Sequence, residues 1–321
     1  MRARTLGRTD VRVTELALGA ASLGNLYVPV SDEDAAATVQ AAWDGGVRYF
    51  DVAPHYGLGL AERRLGRALA RLPREEYVVS TKVGRVLDPN PAPAGSDLGR
   101  GGFAVADDLV RRRDYSADGV RRSLHDSLER LGLDRVDVLL VHDPEDHMTQ
   151  AIGETLPALT ALREQGVIGA VGVGMNLVEP LRRFVRETDI DVVLVAGRYT
   201  LVDRTATALL EECRDHGVAA IVAAPFNSGL LAHDHSSGEP RFDYGDAPAD
   251  VVACAAECAR VCSRHGVPLP AAALRFGLRH PAAACVLAGM RTAVEVNANR
   301  AWLEAPLPEE LWAELPPPAR A

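Results

Sequence analysis

VDVLLVH (136–142) and AVGVG (170–174) are two short apolar runs on either side of QAIGETLPALTALRE (150–164), whose apolar residues recur at helical spacing. Runs of this length suit buried strands, and the longer periodic stretch suits a helix that carries the chain back to a parallel neighbour. The predicted unit is therefore a strand over Val136–His142, a helix over Gln150–Glu164 and a strand over Ala170–Gly174. The same alternation extends outward in both directions. Further strands are predicted at Glu15–Gly19, Val47–Asp51, Tyr77–Lys82, Val192–Val195, Val218–Ala223 and Ala284–Ala288. Helices are predicted at Asp32–Asp44, Leu60–Arg71, Ala117–Leu131, Val178–Glu187, Asp203–His216, Asp250–His265 and Leu269–Arg279, with Ser31 and Ser116 as N-caps. Eight strands alternating with helices make the count of an α/β (β/α)8 TIM barrel, expected as a single domain over 1–321. A hairpin, Thr5–Leu6 against Val13–Thr14 around the turn Gly7–Asp10, is expected to plug the barrel bottom. Two long connections, Val83–Asp114 and Asn227–Ala249, both follow strands, which puts them on the C-terminal face where barrel active sites lie.

Composition narrows the class of protein. The chain has 321 residues, 47% of them hydrophobic and 25% charged, ordinary values for a globular protein. A formal charge of −9 argues against bulk attraction to nucleic acid or an anionic membrane, while leaving room for a local basic pocket. Neither a signal peptide nor a long apolar span is legible, and the odd cysteine count fits a reducing compartment, so the expected location is cytoplasmic. Cys254, Cys258 and Cys262 fall on one helical face and read as small buried apolar residues, not a metal site. Arg111, Arg112 and Arg113 read as a solvated loop edge.

A buried strand needs a reason to end in a polar residue. Asp51, Lys82 and His142 end three successive predicted strands, and Tyr56 follows Asp51 by five residues. On a barrel these positions converge. An ammonium beside a phenol favours the phenolate and lowers its pKa, a carboxylate keeps the ammonium charged, and an imidazole can hold a carbonyl oxygen. Taken singly, each residue is more often a cap, a snorkelling lysine or a satisfied core histidine. Together they form a proton-transfer device aimed at a carbonyl or an alcohol.

VRYFDVAPHYG (47–57) with Glu62, Leu65 and Gly66, STKV (80–83) and VLLVHDP (138–144) carry this set in order, and here the chain resembles the aldo-keto reductase family. The resemblance runs from about Arg4 to about Trp302 and, through LGAASLGNLY (18–27), VHDPEDH (141–147), AGRYTL (196–201) and FNSGLL (226–231), points to the family's sugar-dehydrogenase branch. It implies an NAD(P)-dependent oxidoreductase that moves hydride between nicotinamide C4 and the carbonyl or lactol carbon of an aldose or small aldehyde. Tyr56 would move the proton, Lys82 and Asp51 would tune it, and His142 would position the substrate oxygen. Asn25, Tyr27 and His55 would meet the substrate.

No Rossmann fingerprint is present, since Gly172 and Gly174 are followed by Leu177 at the third glycine position. By resemblance, Asn176 would hold the carboxamide and Pro225, Phe226, Asn227, Ser228, Gly229 and Leu230 the pyrophosphate. Gly289, Arg291, Thr292, Glu295 and Asn299 would hold the adenosine end; without the resemblance, Thr292 is an ordinary helix cap. The chain departs from the family in having Ala223 where relatives place a nicotinamide-stacking tyrosine, for which Tyr199 is a substitute. It also has Arg198 where a glutamine is common. Gly289 and Glu295 tilt the expectation to NAD, while Arg291 suits the extra phosphate of NADP. A metal-dependent hydrolase, using His142, Asp143, Asp146 and His147 or His233, Asp234 and His235, is the rival enzyme. A non-catalytic nucleotide-binding regulatory subunit on the same barrel is the rival from another class. No metal, nucleic acid or membrane partner is expected, and oligomeric state is not legible.

Overall fold

The computed structural model describes residues 1–233 and 240–321. Eight parallel strands close into a barrel: β1 (Leu16–Gly19), β2 (Tyr49–Asp51), β3 (Val78–Val83), β4 (Val138–His142), β5 (Ala170–Met175), β6 (Val192–Ala196), β7 (Ala219–Ala223) and β8 (Ala283–Gly289). Each pairs with the next, and β8 closes on β1 through Val286 opposite Leu16. The outer ring is α1 (Asp32–Asp44), α2 (Leu60–Leu69), α3 (Ala117–Leu131), α4 (Leu156–Glu164), α5 (Val178–Glu187), α6 (Thr207–His216), α7 (Ala249–Arg264), α8 (Leu269–Gly277) and α9 (Ala293–Glu304). The two serine caps form as expected. Ser31 accepts from the Asp34 N–H at 2.9 Å, and Ser116 from the Gly119 N–H at 3.0 Å.

The strands show why both faces read as apolar. Tyr49, Val138, Leu140, Val192, Leu194 and Ile221 fill the barrel interior, and Phe50, Leu139, Val141, Val193, Val195 and Val222 pack under the helices. Side chains alternate between these layers with period two. The bottom is closed by an antiparallel hairpin, Ala3–Thr5 against Arg12–Thr14, which sends Leu6 and Val13 into the interior cluster.

Four expectations shift. The helix expected from Gln150 opens with a wide turn over Ala151–Thr155 before α4, with Pro157 in the first turn of that helix. The helix expected from Asp203 starts at Thr207, because the Asp203 carboxylate accepts from the N–H and hydroxyl of Thr205 in a turn. Val83–Asp114 is no open loop: Arg85–Pro89 pairs with Leu109–Arg113 as a hairpin over the barrel mouth. Arg111 is therefore not at a solvated edge. Its guanidinium makes a bidentate pair with the Asp97 carboxylate at 2.6 Å and donates to the His55 carbonyl at 2.9 Å. Cys258 and Cys262 are buried on the core face of α7, as their spacing suggests, whereas Cys254 is half-buried and its thiol donates to the Pro317 carbonyl at 3.5 Å. No helix among the described residues is long and apolar enough to cross a membrane.

Candidate active site

Asp51, Lys82 and His142 are the last inward-facing positions of β2, β3 and β4. The registers Asp51 opposite Ser80, Lys82 opposite Leu140 and His142 opposite Gly174 step them around the mouth. Barrel shear thus turns three strand ends into one cluster. Tyr56 reaches it from the loop after β2. Gly57 there has φ +61°, and a Cβ on it would sit 2.3 Å from the Gly24 carbonyl oxygen, so this close backbone approach fixes the tyrosine's loop. Behind the loop, buried Glu62 accepts from the Thr81 hydroxyl at 3.0 Å and from Arg130 Nε at 2.5 Å, which ties α2 to β3 and α3. Gly66 lets α2 lie on the end of α3, where a Cβ would meet the Leu131 carbonyl at 1.9 Å.

A continuous chain of polar contacts runs up from the barrel interior. The Tyr49 hydroxyl donates to Ser80 Oγ at 2.9 Å, and Ser80 donates to Asp51 Oδ1 at 2.6 Å. Lys82 Nζ donates to Asp51 Oδ2 at 2.7 Å, to the Val52 carbonyl at 3.0 Å and to the Tyr56 hydroxyl at 3.1 Å. Asp51 and Lys82 are 1% and 2% exposed, so this ion pair works in a low-dielectric setting. Burial alone would depress the ammonium, but Asp51 and Tyr56 together outweigh it and raise the Lys82 pKa. The phenol behaves differently from the sequence expectation. Burial raises the Tyr56 pKa, and the opposing pull of Lys82 only moderates that rise. Tyr56 is a neutral phenol at pH 7.

His142 is held well below its ordinary pKa by burial first and then by the Arg85 and Lys82 charges; its Nδ1 is buried with no partner. His55, with ring centroid 5.7 Å from that of His142, is depressed to about 2, chiefly by burial. Two buried neutral imidazoles carry a stability consequence. Above pH ~6.5 they are neutral whether the chain is folded or not. Below it the unfolded chain takes up protons that the fold refuses, so stability falls by up to about 1.4 kcal/mol per pH unit per ring. His55→Gln is expected to shrink the loss of unfolding free energy between pH 6.5 and 5 by about 1–2 kcal/mol, read by urea titration at each pH. An unchanged pH slope would show that His55 protonates freely in the fold.

The site opens into a cavity of about 720 Å³. Tyr27, His55, Tyr56, Lys82, His142 and Asn176 line it, as do Asp143, expected only as a ligand of the rival metal site, and Arg85, Phe103, Arg241 and Tyr244, which the sequence does not mark out. Phe103 comes from the mouth hairpin and meets the His55 ring edge-on at 5.3 Å. Arg241 lies over the Tyr27 ring at 5.4 Å. Such residues sit on excursions whose course no strand–helix rhythm encodes; Arg85 and Asp143, each within three residues of Lys82 or His142, carried the only positional signal.

Asn25 does not reach the cavity. Its Oδ1 accepts from Arg64 at 2.7 Å and from the Val30 N–H at 2.9 Å, and its Nδ2 donates to the Ala104 carbonyl at 3.2 Å, so it ties loops together. Tyr199 is likewise misplaced for stacking, since its ring packs on Phe276 of α8 at 4.9 Å. Asn176 and Arg198 both contact Asp243, at 3.5 and 2.7 Å, and Tyr244 beside it is an aromatic side chain facing the cavity. Beyond β7 the backbone is left-handed at Asn227, Ser228 and Gly229, and buried Asn227 Oδ1 has no partner. Pro225, Phe226 and Leu230 flank this turn, and Phe226 packs edge-on to Trp302 of α9. At the start of α9, Thr292 accepts from the Glu295 N–H while Glu295 Oε2 accepts from the Arg291 N–H at 2.7 Å. Glu295 thus holds the start of α9 from one residue before the Thr292 cap, so it has a structural task whatever else it meets. Gly289 is exposed with open space around it, Asn299 is buried, and Arg291 Nε is buried without an acceptor. Orphaned polar atoms and a strained turn beside the cavity suit a dinucleotide laid across the mouth.

The rival metal set does not converge: His147 stacks on Tyr115 at 4.9 Å. Among the described residues, the cluster able to hold a metal is His125, Asp126 and Glu129 on α3, remote in sequence from the strand ends; Asp234 and His235 lie outside the described residues.

Residues 15–316 match the aldo/keto reductase family model. The chain is 44% identical over 307 residues to D-threo-aldose 1-dehydrogenase from Pseudomonas sp, covering 94% of this chain and 93% of that one. It is 42% identical to pyridoxal 4-dehydrogenase from Microbacterium luteolum, with 97% and 96% covered. The holo form of an aldo-keto reductase from Bacillus halodurans superposes with a TM-score of 0.76 at 26% identity, covering 98% of this chain and 95% of that chain. Fold, strand-end cluster and relatives agree: the chain belongs to the aldo/keto reductase family and is an NAD(P)-dependent oxidoreductase.

Proposed function

We propose that this enzyme interconverts an aldose, or a small aldehyde, with its oxidised or reduced partner, and that residues 1–321 act as one unit. The observation that carries the reading is the contact of Lys82 Nζ with both Asp51 and the Tyr56 hydroxyl at the cavity floor. A bound nicotinamide supplies or accepts the hydride. The protein's residues do the rest. In reduction the neutral Tyr56 phenol gives its proton to the carbonyl oxygen as charge develops there, and the Lys82 ammonium stabilises the phenolate left behind. Asp51 keeps that ammonium charged and aimed. His142, neutral, offers a ring N–H to the same oxygen, and Tyr27 and His55 wall the cavity. Asn176, the turn Pro225–Leu230, and Gly289, Arg291, Thr292, Glu295 and Asn299 are the residues proposed to hold the cofactor. The aldose assignment is supported by the names of the sugar dehydrogenases to which the chain is similar.

Gly289 and Glu295 favour NAD at the adenosine end, because a carboxylate accepts from a ribose hydroxyl and repels a phosphate. One observation supports NADP as a second reading: among the described residues Arg291 has no carboxylate partner. The test is turnover of a panel of aldoses and aldehydes with each cofactor, read by reduced-nicotinamide absorbance. Aldose-dependent turnover with NAD above that with NADP is expected. Cofactor binding without turnover of any compound would establish a regulatory subunit instead, and zinc-dependent, cofactor-independent activity a hydrolase.

A further inference from the structure

Arg85 and Asp143 stand on the cavity wall outside the Tyr49–Ser80–Asp51–Lys82–Tyr56 chain, and both are held there by built features. Asp143 has φ +43°, a left-handed conformation that non-glycine residues seldom adopt. Its N–H donates to the Gly174 carbonyl at 3.0 Å, and the Tyr115 hydroxyl lies 2.7 Å from the carbonyls of both His142 and Asp143. Tyr115 fits because residue 84 is glycine; a Cβ there would sit 2.2 Å from the ring. Arg85 donates to Asp143 Oδ2, yet its Nε is buried and meets no acceptor in the protein. That carboxylate oxygen is 3.6 Å from His142 Nε2, too far to bond it but next to anything that does.

We propose that the Arg85–Asp143 pair reads the hydroxyl on the carbon next to the reacting carbonyl, so that the enzyme selects 2-hydroxyaldehydes, aldoses among them, over plain aldehydes. The assignment rests on the reading that Tyr56 and His142 hold the carbonyl oxygen. A carboxylate only accepts hydrogen bonds and a guanidinium only donates them, whereas a hydroxyl does both. The pair is neutral overall, which suits an uncharged hydroxyl better than a phosphate or carboxylate. A substrate without the hydroxyl lays a methylene against the buried, unpartnered Arg85 Nε and a half-buried carboxylate, and sites that leave a buried polar group unpaired discriminate strongly.

Glyceraldehyde and propanal share a carbon chain and differ only in hydroxyls, so the test is their reduction by the parent enzyme and by Asp143→Asn. Asparagine tolerates the left-handed backbone and keeps the shape of the side chain. The ratio of kcat/KM for glyceraldehyde over propanal is expected to fall about 100-fold in the variant, with propanal changed by less than about threefold. Arg85→Gln, which leaves the backbone at 143 untouched, is expected to lower the same ratio and serves if Asp143→Asn fails to fold. Equal falls on both aldehydes would make the pair a support for His142 and overturn the assignment; so would an unchanged ratio. Turnover of neither aldehyde by the parent enzyme would overturn the proposed function and this assignment with it.

Discussion

Tyr56→Phe is expected to lower turnover by about 10²–10⁴, the range for a lost general acid, while leaving the fold and nicotinamide affinity close to those of the parent. The phenyl ring keeps its place against Phe103 and His142, so only the hydroxyl at 3.1 Å from Lys82 is removed. The direction of the phenol's shift adds a second readout. Burial raises the Tyr56 pKa, so the acid form needed for reduction is present across neutral pH. Oxidation needs the phenolate, so kcat/KM for oxidation should climb as pH rises toward the alkaline range while reduction stays level. Steady-state rates in both directions against pH, for parent and variant, check both parts. Near-parental turnover in Tyr56→Phe would remove the residue from the mechanism.

Lys82→Met should be the more damaging substitution for stability. It strips the ammonium from a carboxylate that is 1% exposed and leaves Asp51 with the Ser80 hydroxyl as its remaining side-chain donor. Breaking one side of a buried ion pair typically costs about 3–5 kcal/mol, because the surviving charge stays desolvated. Activity should vanish as well, since nothing then stabilises the Tyr56 phenolate. The double variant Asp51→Asn, Lys82→Met separates the two effects. It should regain much of the lost unfolding free energy, measured by denaturant titration, and none of the activity. A single variant as stable as the parent would show that water already reaches Asp51.

The barrel was legible because each strand is a short apolar run and each helix an amphipathic one, and because β4, α4 and β5 repeat a unit that admits only a parallel arrangement. Strand existence survived translation into structure far better than boundaries; Val47 and Arg48 precede β2 because pairing with β3 begins only at Tyr49 opposite Val78. The convergence of Asp51, Lys82 and His142 was legible for a related reason: a polar residue closing an apolar strand is an anomaly that sequence displays. Asn25 and Tyr199 misled because a polar or aromatic side chain near the mouth in sequence can turn to serve a loop or an outer helix. Whether it does depends on partners such as Arg64 and Phe276, distant in the chain. Phe103, Arg111, Arg241 and Tyr244 were beyond reach because the mouth hairpin and a second, short pairing of Arg241–Phe242 with Gly245–Asp246 have a register set by packing rather than by periodicity. The sign of the Tyr56 shift was missed for want of burial: spacing shows that an ammonium is near, and only packing shows how little water is.

The polar chain rooted at Tyr49 has a further meaning for the timing of the reaction. It ends inside a packed barrel whose floor is closed by Leu6 and Val13, and burial holds the Tyr49 phenol well above its ordinary pKa. The inner end of the chain therefore meets packed side chains rather than solvent. Under the proposed mechanism, a proton lost from Tyr56 is replaced through the same mouth that admits the substrate. The barrel is thus a one-ended vessel, in which recharging the acid and exchanging product for substrate share one opening.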